Sequence, residues 1–340
     1  MKKINLNKLK ELFAYISEKS SLFLPIESAN SINFGMYDEK AKVRLDVLKT
    51  SKSPKDLFFP QSETLYSCQS AKGKISIEPQ ALQNDEFVVF GMKNCDFAAL
   101  EILDKVFLSE PVDTFYKARR DNATIVTLAC ARPSESCFCK AYGIDCAQGA
   151  GDVSAWIIGE YFYWCANTQK GVALLEKTAH LFEDADEADV ESAKAQIRDI
   201  VAKMPLMSLD LKNWGKGKTA EKFDSPLWDE LYKPCLACGT CTFVCPTCQC
   251  YDIKDYKAGE KVVRYRCWDS CMYSDFTMMA HGNNRTSQMQ RFRQRFMHKL
   301  VYFPDNNDGV FSCTGCGRCV DKCPASLNIV KVIKAFDKEA

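Results

Sequence analysis

Cys235-Leu-Ala-Cys-Gly-Thr-Cys-Thr-Phe-Val-Cys-Pro246 and Cys313-Thr-Gly-Cys-Gly-Arg-Cys-Val-Asp-Lys-Cys-Pro324 are two copies of one spacing, C-x2-C-x2-C-x3-C-P. Three thiols spaced this way along a tight turn can each take one iron corner of a cubic iron–sulfur cluster. The fourth corner needs a cysteine from elsewhere, and in paired runs of this kind the fourth cysteine of each run ligates the other cluster. The spacing therefore predicts one [4Fe-4S] cluster on Cys235, Cys238, Cys241 and Cys323, and a second on Cys313, Cys316, Cys319 and Cys245. Crossed ligands tie distant segments together and set two clusters side by side, a path for single electrons.

Other uses of the cysteines fit less well. Structural zinc prefers well-separated Cys-x2-Cys knuckles that close a tetrahedron around one atom. A disulfide framework suits small secreted domains, whereas this chain has 340 residues and an odd count of 19 cysteines. Its start, Met1 to Tyr15, is amphipathic and lysine-rich without an apolar signal core. No apolar run is long enough to cross a bilayer, so no membrane partner is expected. Free thiols and cubic clusters point to a reducing, oxygen-poor setting, read as the cytoplasm of an anaerobe.

Composition is that of an ordinary soluble protein, 46% hydrophobic and 26% charged. The formal net charge of +1 treats every cysteine as neutral. Two oxidised cubic clusters at roughly −2 each would bring the loaded chain to about −3, with nearby basic residues tuning their potentials.

Three stretches follow from the patterning: an α/β domain over residues 1–170, a helical connector and linker over 171–226, and a mainly α-helical two-cluster ferredoxin-like domain over 227–340. In the first, Glu86–Gly91 and Ala123–Ala129 read as buried strands, and Trp156–Trp164 as a hairpin turning at Gly159-Glu160. Between the strands, Phe97, Leu100, Leu103 and Phe107 recur at helical spacing behind Asp96 as cap. In the second, Val190, Ala193, Ile197, Val201 and Met204 form one stripe, preceded by an acidic run suited to a solvated face or a helix N-terminus. Ser225-Pro226 then opens a helix leading into the first cysteine run. In the third, the insertion between the runs carries a helical stripe, Met289, Phe292, Phe296 and Leu300. Its basic stretch, Arg291 to Lys299, reads as a solvated face balancing cluster charge, or as a nucleic-acid or redox-partner surface.

Cys95 and Cys130 each follow a buried strand, and Cys137-Phe-Cys139 lies a short loop later. If the strands are neighbours, their ends meet where open α/β sheets bind ligands, and four thiols could converge there. The alternative is that each packs as a small apolar side chain.

The chain resembles a known family at Phe58-Phe-Pro-Gln-Ser-Glu-Thr-Leu65, Asn94-Cys-Asp-Phe-Ala-Ala99, Cys137-Phe-Cys139, Cys235 to Cys250, Trp268-Asp-Ser-Cys-Met272 and Arg293-Gln-Arg-Phe-Met-His298. This is the dicluster iron–sulfur subunit family that includes the beta subunit of soluble sulfhydrogenases and the corresponding iron–sulfur subunit of anaerobic sulfite reductase. The match runs from about Lys8 to Ile333. The resemblance implies a third cluster on Cys95, Cys130, Cys137 and Cys139. It also implies a subunit that passes electrons between a flavin subunit oxidising NAD(P)H, or a ferredoxin, and a separate catalytic subunit such as a [NiFe] hydrogenase or a sulfite or sulfur reductase. Cys248, Cys250 and Cys271 match the family too but have no cluster corner assigned; they could line the clusters, offer an alternative ligand or simply pack. Cys68, Cys146, Cys165 and Cys267 match nothing and read as structural or incidental.

No G-x-G-x-x-G follows a strand and no phosphate-cradling loop is present, so neither flavin nor nicotinamide is expected on this chain. His180, His281 and His298 are scattered, and no catalytic constellation is visible. The leading expectation is a non-catalytic electron-transfer subunit. Its competitors are a self-sufficient iron–sulfur reductase acting on a sulfur compound or disulfide, and a nucleic-acid-binding protein using residues 291–299.

Overall fold

The computed structural model describes residues 1–71 and 74–338. The strands of its two larger sheets are β1 (Lys2–Asn5), β2 (Ser21–Ser28), β3 (Ser31–Met36), β4 (Ser62–Ala71), β5 (Lys74–Pro79), β6 (Phe87–Met92), β7 (Ala123–Leu128), β8 (Val153–Ile158), β9 (Tyr161–Ala166), β10 (Glu183–Asp184), β11 (Tyr251–Ala258) and β12 (Lys261–Trp268). Eight of them form one mixed sheet in the order β10-β1-β9-β8-β7-β6-β2-β3, parallel from β2 through β6 and β7 to β8.

Side chains alternate across this sheet, as strand geometry requires. Val88 and Phe90 of β6 join Val126 and Leu128 of β7 under helix Leu9–Ser17 on one face. Phe87 and Val89 join Ala123 and Ile125 on the other, against helix Asn94–Phe107 and the Phe58-Phe59 pair. Asp96 does not cap that helix. Lys93 stands at the N-cap position without a side-chain bond, and Asp96 is turned inward instead.

The connector is shared between the two ends of the molecule. Strand β10 and helix Glu187–Ala202 belong to the sheet, with Val190, Ile197 and Val201 buried against Trp156 and Tyr163. The acidic run sits at the N-terminus of this helix, where Asp186 accepts a hydrogen bond from the Ala188 amide. Leu211 and Trp214 already lie in the second core.

In that core, helix Gln288–Met297 starts at a capping box between Ser287 and Gln290 and continues as a wider turn through Tyr302. Phe292 and Phe296 pack on Trp228, which also meets Phe336 of helix Ile329–Asp337. The insertion is not wholly helical, however. Strands β11 and β12 form a hairpin that pairs through β12 with β4, giving a four-stranded sheet in the order β11-β12-β4-β5. Single-segment periodicity hides this, because the hairpin's partner lies some two hundred residues earlier. Arg266 on β12 anchors the junction with its Nε donating to Glu63 at 2.7 Å, while Asp113 also pairs with it and Arg119 pairs with Glu63.

Candidate iron–sulfur sites

The two cysteine runs fold alike. Gly239 and Gly317 both take positive φ, 73° and 77°, and each starts a short helix, Thr240–Phe243 or Arg318–Asp321. A side chain at Gly317 is excluded for a second reason: its Cβ would lie 2.4 Å from the Ser136 carbonyl oxygen. The Phe138 amide donates to the Gly315 carbonyl at 2.8 Å, so the Cys137–Cys139 loop of the N-terminal region is seated directly on the second run.

Between the runs lie two cavities. One, about 440 Å³ with its mouth included, is lined by Cys235, Cys238, Cys241 and Cys323. The other, about 340 Å³ on the same measure, is lined by Cys245, Cys313, Cys316 and Cys319. The last cysteine of each run thus stands with the first three of the other. Among the described residues, no group of three or more His, Cys, Asp or Glu side chains is drawn together tightly enough for a single metal ion. The thiols surround spaces rather than points, which suits a cluster better than zinc.

The cations around the cavities test the fit independently. Arg295 lines both and Lys299 lines the second, each almost fully buried. Lys299 Nζ donates to Thr247 Oγ1 at 2.8 Å and to the Ser312 carbonyl at 2.9 Å, and Arg295 Nε has no partner at all. Among the described residues neither has a carboxylate within ion-pair distance. Buried charge without a counter-charge is costly, so these residues fit an anionic group held by thiolates. Burial works against both charges, but facing sulfurs, Cys241 and Cys319 for Arg295 and Cys245 and Cys248 for Lys299, hold the protons on. The expected solvated basic face is therefore corrected: Arg295 and Lys299 point inward.

Burial pushes the free thiols the other way, Cys241 and Cys313 up to about 11 and Cys316 to about 12. Cys238 differs. It is exposed at the mouth of the first cavity, and the hydrogen bond with the Thr240 hydroxyl favours its thiolate.

Strands β6 and β7 are parallel neighbours, so Cys95 and Cys130 leave the sheet at the same end. Cys95, Cys130, Cys137 and Cys139 border one core, in which Cys95, Cys130 and Cys137 keep accessible surface while Cys139 is buried. Cys137 also reaches the Cys316 carbonyl, at 3.7 Å. Cys146 belongs here as well: its thiol meets that of Cys139, and its carbonyl accepts from the Cys130 amide at 3.0 Å. No local spacing signals Cys146, because a loop return places it. Cys248, Cys250 and Cys271 gather beside Cys245. Cys68, Cys165 and Cys267 lie on β4, β9 and β12.

The 4Fe-4S dicluster domain family matches residues 234–327, which contain both runs. Over 326 residues the chain is 32% identical to sulfhydrogenase 2 subunit beta of Pyrococcus furiosus, covering 95% of this chain and 94% of that one. The chain belongs to the sulfhydrogenase beta-subunit family. The similarity extends well beyond the cluster domain and takes in the eight-stranded sheet and the Cys95–Cys139 region. Among the described residues no helix is long and apolar enough to cross a membrane.

Proposed function

We propose that this chain is the iron–sulfur electron-transfer subunit of a multisubunit oxidoreductase, relaying single electrons between a flavoprotein oxidising NAD(P)H, or a ferredoxin, and a catalytic partner. The proposed class of that partner is a [NiFe] hydrogenase or a sulfite or sulfur reductase. The observation that carries the reading is the pair of four-cysteine cavities sharing Arg295. Cys235, Cys238, Cys241 and Cys323 would hold one [4Fe-4S] cluster, and Cys313, Cys316, Cys319 and Cys245 the other. When bound, such clusters supply one-electron redox couples.

The protein's own residues set the conditions. Arg295 and Lys299 favour the added negative charge of reduction, the aromatic packing of Phe292, Phe296 and Phe138 excludes water, and exposed Cys238 brings the first site to the surface. Cys95, Cys130, Cys137 and Cys139 are proposed to hold a third cluster, placed next to the second site by the seated Cys137–Cys139 loop. The proposed division into residues 1–170, 171–226 and 227–340 then gives a sheet domain with one cluster, a connector and a domain with two. A reducing, cytoplasmic setting is proposed with this role, because cysteines that are to hold clusters must be kept from pairing as disulfides.

The competing readings have less support. A nucleic-acid surface on residues 291–299 would need the basic side chains outside, yet Arg295 and Lys299 are buried and Arg293 stacks on Phe223.

The test is Cys238→Ser or Cys316→Ser in the assembled complex. Each should bleach part of the visible absorption and cut electron flow between the partners while leaving the catalytic partner's own half-reaction intact. Full turnover with both clusters lost would sink the proposal.

A further inference from the structure

Three thiols that the two ferredoxin sites do not use come together in one place. Cys250 immediately precedes β11, and Cys271 follows β12 by three residues. The hairpin register pairs Tyr251 with Trp268, and the Asp269 amide donates to the Cys250 carbonyl at 3.0 Å. The neck of the hairpin is thereby closed, and the thiols of Cys250 and Cys271 touch. Cys248, two residues upstream, faces them from beside Cys245. All three lie deep within the protein, yet each keeps accessible surface. Each of the three therefore keeps surface that the protein itself does not cover.

Lys55 points to what that surface meets. It is only 3% exposed, and among the described residues no carboxylate pairs with it. Its Nζ donates to the Cys248 carbonyl at 2.8 Å and sits 3.6 Å from the centre of the Trp268 ring. Arg295 and Lys299 line the ferredoxin cavities, so the clusters there account for their charge. Lys55 lines neither cavity; burial pulls its ammonium down to about 8, and the sulfurs of Cys248 and Cys245 are what work to keep it charged. A buried ammonium in that position calls for an anion on the Cys248 side.

We propose that Cys248, Cys250 and Cys271 hold a further iron–sulfur cluster with three thiolate ligands, beside the second ferredoxin site and facing Lys55. Cys245 is committed to that second site, so one coordination position here is left without a cysteine. The cluster is therefore either a three-iron form or a four-iron form whose last iron takes a small non-protein ligand. The same four-residue turn, Cys245 to Cys248, would then contact two clusters, which puts the new one within a single short hop of the second. A lone divalent ion does not fit, because the three thiols do not close on a point. Only the identity of the metal rests on the proposed function.

The test uses the full chain purified without oxygen, with iron and acid-labile sulfide counted and EPR and Mössbauer spectra recorded. Cys250→Ser and Cys271→Ser should each lose about three to four irons per chain, together with one spectral component, while the components lost in Cys238→Ser and Cys316→Ser persist. A component that is paramagnetic when oxidised identifies the three-iron form, and one paramagnetic only when reduced the four-iron form. Full iron and unchanged spectra in both variants overturn the proposal, and so does zinc in place of iron at this site. Should these variants fail to accumulate, Lys55→Met reads the same question: the midpoint potential of one component should fall with the iron count retained, and unchanged potentials in every component overturn the proposal. A parent chain lacking the irons that depend on Cys238 and Cys316 would instead sink the proposed function, a separate result.

Discussion

Arg318 and Asp96 form a fully buried ion pair with two parallel bonds, 2.5 and 2.8 Å. Arg318 lies inside the second cysteine run, between Cys316 and Cys319, while Asp96 directly follows Cys95 in the first turn of the helix after β6. Arg318 also donates to the Thr50 carbonyl at 2.9 Å. One side chain therefore ties the segment after β6 to the second cysteine run and holds Cys95 toward Cys316.

Breaking that pair leaves a buried charge uncompensated. Asp96→Asn should cost about 3–5 kcal/mol of stability, read by chemical unfolding. Arg318→Lys should recover little, because an ammonium cannot make the two parallel bonds. A loss below about 1 kcal/mol in Asp96→Asn would show that the pair does not hold the two parts together.

The buried cations should tune the two ferredoxin couples unequally. Lys299 lines only the second cavity, so Lys299→Met should lower the potential of that couple, whereas Arg295→Met should lower both. Shifts on the order of tens of millivolts are expected for loss of a nearby charge, measured by EPR-monitored redox titration. Equal shifts from Lys299→Met in both couples would contradict the geometry.

Iron content separates ligands from neighbours in the N-terminal group. Cys95→Ser and Cys130→Ser should each remove about four irons per chain. Cys146→Ala should remove none, because the proposed fourth corner belongs to Cys139; the two thiols meet and are about equally buried, so the iron count is what separates them. Iron loss in Cys146→Ala with retention in Cys137→Ser would reassign the fourth corner.

Free thiols give the metal-free chain a characteristic pH response. Burial raises Cys241 and Cys313 from 9.0 to about 11 and Cys316 to about 12. The folded state then binds more protons than the unfolded state between these values, so stability is full below about pH 9 and falls as pH rises toward 11. Chemical unfolding of the metal-free chain at several pH values reads the slope, and a flat profile over that window would show the thiols are not desolvated. Cluster loading has the opposite dependence, since binding expels these protons and is favoured by higher pH.

Local pattern made much of this protein legible. The spacing of Cys235 to Cys245 and Cys313 to Cys323 names the cofactor type, because cluster geometry constrains residues only a few positions apart. The apolar runs at β6 and β7 and the stripe on helix Gln288–Met297 are likewise written in short-range periodicity, and so is the turn at Gly159-Glu160. What the pattern misjudged depended on distant partners. Asp96 reads as a cap and is instead the partner of Arg318. The Arg291–Lys299 stretch reads as surface, but Arg295 and Lys299 turn inward to where sulfurs converge. The β11–β12 hairpin looks like part of a helical insertion until β4 is beside it.

The sequence by itself determined the cofactor chemistry of this chain: two thiol sets spaced for iron–sulfur clusters. Only the tertiary structure decided how those sets are joined, which cations face them and which thiols remain over, because burial and charge compensation are properties of segments meeting in space. Residues 222 positions apart, Asp96 and Arg318, make the bond that ties the Cys95 segment to the second cysteine run.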